Sequence, residues 1–222
     1  MFTQELVTED YSLKQVNRKS GRVYVDEEHN EYPSITSVLS ILSKDAIMKW
    51  RERVGAEEAN RVSAAAVKRG NKVHDMLESY VLNESFDIPT STPADLIAGS
   101  NFNSIKPIID ANLSKVYATE KRMYSKHLGV AGTVDCVGVW DNKISIIDWK
   151  TSNKFKKKEW VTNYFMQCCA YAIMWEERTG TPITQLVVCI AGDQGPQIFV
   201  EHRDSWDHDL IQTIDLYKRR KK

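Results

Sequence analysis

Val130-Ala131-Gly132-Thr133-Val134-Asp135-Cys136-Val137-Gly138-Val139-Trp140 and Lys143-Ile144-Ser145-Ile146-Ile147-Asp148-Trp149-Lys150-Thr151, joined by Asp141-Asn142, decide the fold of this chain. Both runs are rich in β-branched residues and meet at a tight turn pair, so they read as the two strands of a hairpin. A two-residue turn sets Trp140 against Lys143. Counting back along both strands then places Asp135 directly across from Asp148 and Thr133 across from Lys150. Directly opposed strand residues have Cβ atoms about 5 Å apart, where two carboxylates repel by about 3 kcal/mol at an effective dielectric near 20. Further along the same face lie Val137, Val139, Ile144 and Ile146, an apolar surface, so the acids stand at the end of a core. A lone strand acid is usually just solvated, but three functional groups in register call for compensation. A divalent cation with oxygen ligands relieves the repulsion, and period-two alternation points Lys150 to the face of Asp148, where it can hold a water or a phosphate oxygen.

Gly132-Thr133-Val134-Asp135, followed after twelve intervening residues by Asp148-Trp149-Lys150, resembles the signature of the PD-(D/E)XK nuclease superfamily in its RecB-like form. Val134 stands where the family's name has proline, a common departure among RecB-like members. Gln167 and Tyr171 match the Gln-x-x-x-Tyr motif that such nucleases carry on the helix after the lysine strand. His74, in Arg69-Gly70-Asn71-Lys72-Val73-His74, matches their upstream histidine motif. With Tyr32-Pro33-Ser34-Ile35-Thr36-Ser37-Val38-Leu39 ahead of a helical region, the pattern is most similar to the genome-maintenance exonucleases of mitochondria and their phage relatives, small stand-alone enzymes.

The resemblance implies an α/β fold with an αβββαβ core, a mixed central sheet flanked by helices, over about residues 100–202. Residues 34–83 are then a helical amino-terminal addition that brings His74 to the site, and 203–222 a final helix and basic tail, all within one nuclease domain. It implies a metal-dependent DNA exonuclease acting on single strands or ends in phage or bacterial replication, recombination or repair. Asp135 and Asp148 would bind one or two Mg²⁺ or Mn²⁺ ions, with the Trp149 carbonyl as a further ligand and His74 adding a nitrogen that shifts preference toward Mn²⁺. Lys150 would orient the attacking water, while Gln167 and Tyr171 contact the phosphate or steady Lys150. Glu120 is the acid expected near the metal on the preceding strand or helix end, and Glu78, one turn after His74, is a candidate hydrogen-bond partner for its imidazole. Two rival readings are a structure-specific endonuclease of the same fold and a catalytically inactive, DNA-binding recombination accessory protein.

Composition is compatible with a single globular unit. At 222 residues and 42% hydrophobic content the chain can bury an ordinary core, and it contains no apolar run long enough to cross a bilayer. The acidic start, Met1 to Asp10, has neither an apolar signal core nor an arginine-rich transit pattern, which gives a cytoplasmic expectation. The four cysteines, Cys136, Cys168, Cys169 and Cys189, lack zinc-type spacing and read as small core residues; the resemblance admits an iron–sulfur cluster held by one amino-terminal and three carboxy-terminal cysteines, but none precedes residue 136, so no cluster is expected. A net charge of zero suits a polyanion-binding protein poorly, but the cations are clustered. Lys154, Lys156, Lys157 and Lys158 follow the second strand, Lys68, Arg69 and Lys72 precede His74, and Lys218 to Lys222 end the chain. Arg69, Lys72, Lys154, Lys156 and Lys157 are the candidate DNA contacts, with Trp50, Tyr80, Trp149 and Phe155 as candidate stacking surfaces.

Turn and periodicity signals supply the rest. Residues 22–25 and 31–32 form a small hairpin, and Ser34 caps a short helix through Leu42. A helical stretch runs from Asp45 to about Asn83, with breaks near Gly55 and Gly70. A polar loop covers 86–93, and Ile105, Ile108, Ile109, Leu113 and Val116 at helical spacing predict a helix reaching Val116, followed by a strand at 119–126. After the hairpin come a helix over 158–178, strands at 185–191 and 197–201, and a helix over 205–217.

Overall fold

The computed structural model describes residues 1–7, 12–19 and 21–221, so part of the acidic start and Lys222 of the basic tail lie outside the described residues. The chain folds as β1 (Thr3–Gln4), β2 (Lys14–Arg18), β3 (Gly21–Val25), β4 (Glu31–Pro33), α1 (Ile35–Leu39), α2 (Lys44–Val54), α3 (Ala56–Val81) and α4 (Pro93–Asn112). Next come β5 (Leu113–Ser125), β6 (Val130–Trp140), β7 (Lys143–Ser152), α5 (Thr162–Thr179), β8 (Gln185–Gly192), β9 (Gln197–His202) and α6 (Asp207–Lys221). Six strands form a mixed sheet in the order β1-β5-β6-β7-β8-β9, with β7 and β8 parallel and linked by α5, and β2-β3-β4 form a second, smaller sheet.

Asp141 and Asn142 both have positive φ, 48° and 62°, the two left-handed residues that make a tight turn matching strand twist. The register is the expected one from Trp140↔Lys143 to Cys136↔Ile147, and there the ladder ends. One step further Asp135 would pair with Asp148. Instead the strands part: the Trp149 N–H donates to Asp135 Oδ2 at 2.8 Å, and β7 continues in parallel pairing with β8. The expected Thr133–Lys150 pair does not form, because the β6–β7 ladder has already ended; Thr133 keeps its partner Arg122 on β5 and bonds the Tyr24 hydroxyl at 3.0 Å.

The large sheet separates two cores. Val137, Ile146, Val188 and Ile190 pack under α1, α5 and α6 with Val161, Phe165, Cys168 and Ala172, which is why β7 and β8 read as continuous apolar runs. Cys136, Ile147, Trp149, Val187 and Cys189 face the other way, against Val73, Met76 and Leu77 of α3 and Phe102, Ile105 and Ile109 of α4. In α6, Leu210, Ile214 and Tyr217 recur at helical spacing on the first core.

Several boundaries differ from expectation. Leu113 and Val116 lie in β5, not in the preceding helix; register shifts between Leu113 and Lys115 and between Val116 and Ala118 keep these two residues, three apart, in one core, which imitates helical spacing. The helix begins earlier, at Pro93, where Thr92 and Asp95 form a reciprocal cap. Gly55, at φ 87°, separates α2 from α3, whereas α3 passes Gly70 without a break. Ser34 makes no side-chain cap, bonding Thr36 Oγ1 at 2.8 Å instead. The short strands β1 and β2 carried no readable pattern. The basic end of the chain is the last turn of α6, with Lys218 Nζ donating to the Leu128 carbonyl at 3.2 Å.

Candidate active site

Where β6 and β7 part, side chains from both sides of the sheet can meet, and a cleft of about 690 Å³ opens there, bounded by α3, β3, α1, β5 and α5. Asp135 stands at its centre. The pairs Thr119↔Cys136 and Lys121↔Val134 bracket Glu120 opposite Asp135, so three carboxylates, on β5, β6 and β7, fall in one row across the sheet. Pairing lapses at both places. Glu120 takes the left-handed φ of 44°, rare for a residue with a side chain and concentrated where function demands it.

His74 Nε2 bonds the Trp149 carbonyl at 2.9 Å, and its Nδ1 lies 3.6 Å from Glu120 Oε1 and 3.9 Å from Asp135 Oδ2. Ligand atoms of His74, Glu120 and Asp135 all fall within 4.8 Å of one another, a group able to hold a metal ion. Asp148 is engaged differently: Gln167 Nε2 donates to its Oδ1 at 3.0 Å, and Lys150 Nζ lies 2.5 Å from its Oδ2. The ammonium is thus the charged partner of the buried Oδ2. Lys150 also sits 5.1 Å over the Tyr164 ring. Gln167 donates in addition to the Tyr171 hydroxyl at 3.2 Å, so the buried Gln167 reaches Asp148 directly and the buried Tyr171 only through Gln167.

Burial pushes the Asp148 carboxyl up to about 6, with Asp135 adding repulsion against the pull of Lys150, and burial likewise raises Asp135. Burial opposes the charge on Lys150, yet Asp148 and Asp135 hold it firmly protonated. Burial also opposes the charge on His74, but Glu120 and Asp135 outweigh it and lift the imidazole to about 9. A histidine whose folded value exceeds its unfolded one contributes stability in full below the unfolded value, about 6.5, and loses it as pH rises through the folded one. Cation-free protein should therefore lose about 2–3 kcal/mol between pH 6.5 and 9, and His74→Gln should flatten that slope; urea titrations across this range measure it.

The remaining sequence candidates divide. Glu78 lines the cleft, its carboxyl raised by burial and Glu120, but the acid beside His74 Nδ1 is Glu120. Lys72 does not face the cleft; it is ion-paired with the buried carboxylate of Asp95. Arg69 is half-buried outside the lining, its Nε without a hydrogen-bond partner. Lys154, Lys156 and Lys157 lie in the segment after β7, also outside the lining. Trp149 and Tyr80 are not stacking surfaces, since Trp149 fills the second core and Tyr80 packs on Phe2 and Phe102. Trp50 is half-buried on α2, and Phe155 is exposed.

Arg22, Tyr24, Ser34, Thr36 and Asn71 line the cleft, although none of them had been assigned a role in the site from the sequence. Arg22 and Tyr24 lie on the small sheet, which was not foreseen as a wall, Ser34 and Thr36 lie at the start of α1, and Asn71 is one turn before His74 on α3. Gly132 fits its role tightly: a Cβ there would come 2.6 Å from the Tyr171 ring and 3.0 Å from its hydroxyl. Gly132→Ala should cost about 1–3 kcal/mol in urea unfolding, and by displacing Tyr171 should loosen Gln167 from Asp148.

Three curated relatives resemble the chain, each named mitochondrial genome maintenance exonuclease 1. The human protein is 26% identical over 58% of this chain and 39% of its own length, and the mouse protein 26% identical over 62% and 42%. The Xenopus tropicalis protein is 24% identical over 87% of this chain and 60% of its own. This chain thus spans between about two fifths and three fifths of these relatives. No family model matches. Among solved structures, SSO0001 superposes with a TM-score of 0.41 at 12% identity over 80% of this chain and 71% of that one, too distant to carry an argument. The chain is a mixed α/β protein distantly similar to genome-maintenance exonucleases.

Proposed function

We propose that this chain is a Mg²⁺- or Mn²⁺-dependent deoxyribonuclease of the RecB-like PD-(D/E)XK type, an exonuclease acting on single strands or DNA ends in replication, recombination or repair. The observation that carries the reading is the convergence of Asp135, Asp148 and Lys150 with Glu120 and His74 at the point where β6 and β7 part. The order α4, β5-β6-β7, α5, β8 is also the one that such a nuclease core requires. The distant relatives' name supports the same activity.

The donor set fits a small divalent cation. Carboxylate oxygens dominate it, and one imidazole nitrogen tilts it toward Mn²⁺. His74, Glu120 and Asp135 would hold the ion, which when bound supplies Lewis acidity and an activated water. The protein's own groups do the positioning. Tyr171 holds Gln167, Gln167 holds Asp148, and Asp148 fixes the Lys150 ammonium, which stays charged to orient water and neutralise charge on the phosphoryl group. His74 anchors α3 to the strand through the Trp149 carbonyl. A histidine held by two acids must give up its proton when it ligates an ion, so cation binding should weaken as pH falls.

Digestion of end-labelled linear and covalently circular single-stranded DNA in Mg²⁺ or Mn²⁺ tests the reading. An exonuclease degrades the linear strand and leaves the circle intact. Cutting of circles would make it an endonuclease, and cation-independent binding without cutting would make it an accessory protein.

A further inference from the structure

The segment linking β7 to α5 joins the strand of Lys150 to the helix of Tyr164, Gln167 and Tyr171, so both its ends are set by the site. It reads Lys154-Phe155-Lys156-Lys157-Lys158-Glu159-Trp160, and two large aromatic side chains on it face solvent, Phe155 at 58% and Trp160 at 56% exposure. Such exposure wastes apolar area unless something stacks there. The backbone beneath is fastened to the adjoining β8–β9 hairpin. Gln197, itself buried, accepts from the Lys156 N–H at 2.7 Å and donates to the Lys156 carbonyl at 2.8 Å. Gln194 accepts from the Phe155 N–H at 3.2 Å, and Ser152 is hydrogen-bonded to both the carbonyl and the N–H of Lys154. The aromatics are thus displayed from a fixed loop. Lys157 Nζ stands 5.4 Å over the Trp160 ring, and Lys158 pairs with Glu201.

Resting on the nuclease reading, we propose that Phe155 and Trp160, with Lys154 and Lys157, form a stacking platform for unpaired bases a few nucleotides from the scissile phosphate. Aromatic faces interleaved with ammonium groups match the chemistry of a single strand, whose bases offer π-faces and whose phosphates offer charge. Duplex bases are already stacked and cannot use the rings. Lys154 is four residues from Lys150, and Trp160 is four from Tyr164, whose ring lies 5.1 Å from the Lys150 ammonium; a chain of four residues spans at most about 14 Å, which keeps both ends of the platform near the cleft. The platform's contribution is therefore to affinity for single strands, separate from the bond-breaking groups.

Binding of a fluorescein-labelled oligothymidylate, followed by anisotropy in excess chelator so that no cleavage is required, tests the proposal independently of catalysis. Phe155→Ala and Trp160→Ala should each weaken single-strand binding about 5- to 100-fold, the range of one lost base stack. Blunt-duplex binding should change less than twofold. Phe155→Tyr and Trp160→Phe, which keep a ring, should retain most of the affinity. Unchanged single-strand affinity in both alanine variants, or equal losses for single strand and duplex, would overturn it. Loss of hydrolysis in the wild type with intact aromatic-dependent binding would refute the nuclease reading alone.

Discussion

Lys150→Ala should lower hydrolysis of a single-stranded oligonucleotide at least about 10²- to 10³-fold while leaving the fold in place, the scale of removing one preorganised charge-stabilising donor. Lys150 is set against both Asp148 and Asp135, and they hold it charged. Its removal leaves Asp148 buried without its ion pair, ordinarily a severe loss. Here the carboxyl already lies near 6, so it can take up a proton near neutral pH and stay inside as an acid. The variant should therefore fold best at acid pH, and it should lose stability as pH rises, because a carboxyl with a raised folded value binds its proton more tightly in the native state than in the unfolded one. Circular dichroism melts at pH 5.5 and 8, alongside the rate assay, distinguish a catalytic loss from unfolding.

Asp135→Asn should be as damaging by a different route. Asp135 lies level with Glu120 of β5 and close enough to Asp148 to repel its charge, and its Oδ2 is held by the Trp149 N–H at 2.8 Å. An asparagine keeps an oxygen for that hydrogen bond but removes the charge that makes the His74–Glu120–Asp135 group a cation site. Mn²⁺ affinity measured by calorimetry should fall more than about 10- to 100-fold, the cost typical of losing even an outer-shell partner. Cleavage should fall with it. His74 should become easier to deprotonate, since one of the acids that support its charge is gone. Combining Asp135→Asn with Lys150→Ala should cost little beyond either alone, because groups that act as a unit are not additive.

The hairpin was legible because its turn has two residues of the kind that tolerate positive φ, so counting fixed the register as far as Cys136↔Ile147. Counting could not foresee that pairing stops where two acids would meet. The same count applied one strand earlier would have set Glu120 opposite Asp135, but it required recognising the turn at Gly129, whose φ is 68°. The helix–strand boundary at Leu113 was hidden because register shifts in β5 give three-residue spacing to residues of one core. Lys72 looked like a phosphate contact by its place near His74, whereas its true partner, Asp95, lies in a helix cap far along the chain. Arg22 and Tyr24 were invisible as cleft residues since only the docking of the small sheet brings them there.

The most direct test is the initial rate of nucleotide release from an end-labelled linear single strand as Mn²⁺ is titrated from zero, with wild type and Lys150→Ala side by side. Saturable release that starts only with added ion, vanishes on chelation and is nearly absent from the variant is the expected result. Undiminished release in excess chelator, or equal rates from the two proteins, would contradict it.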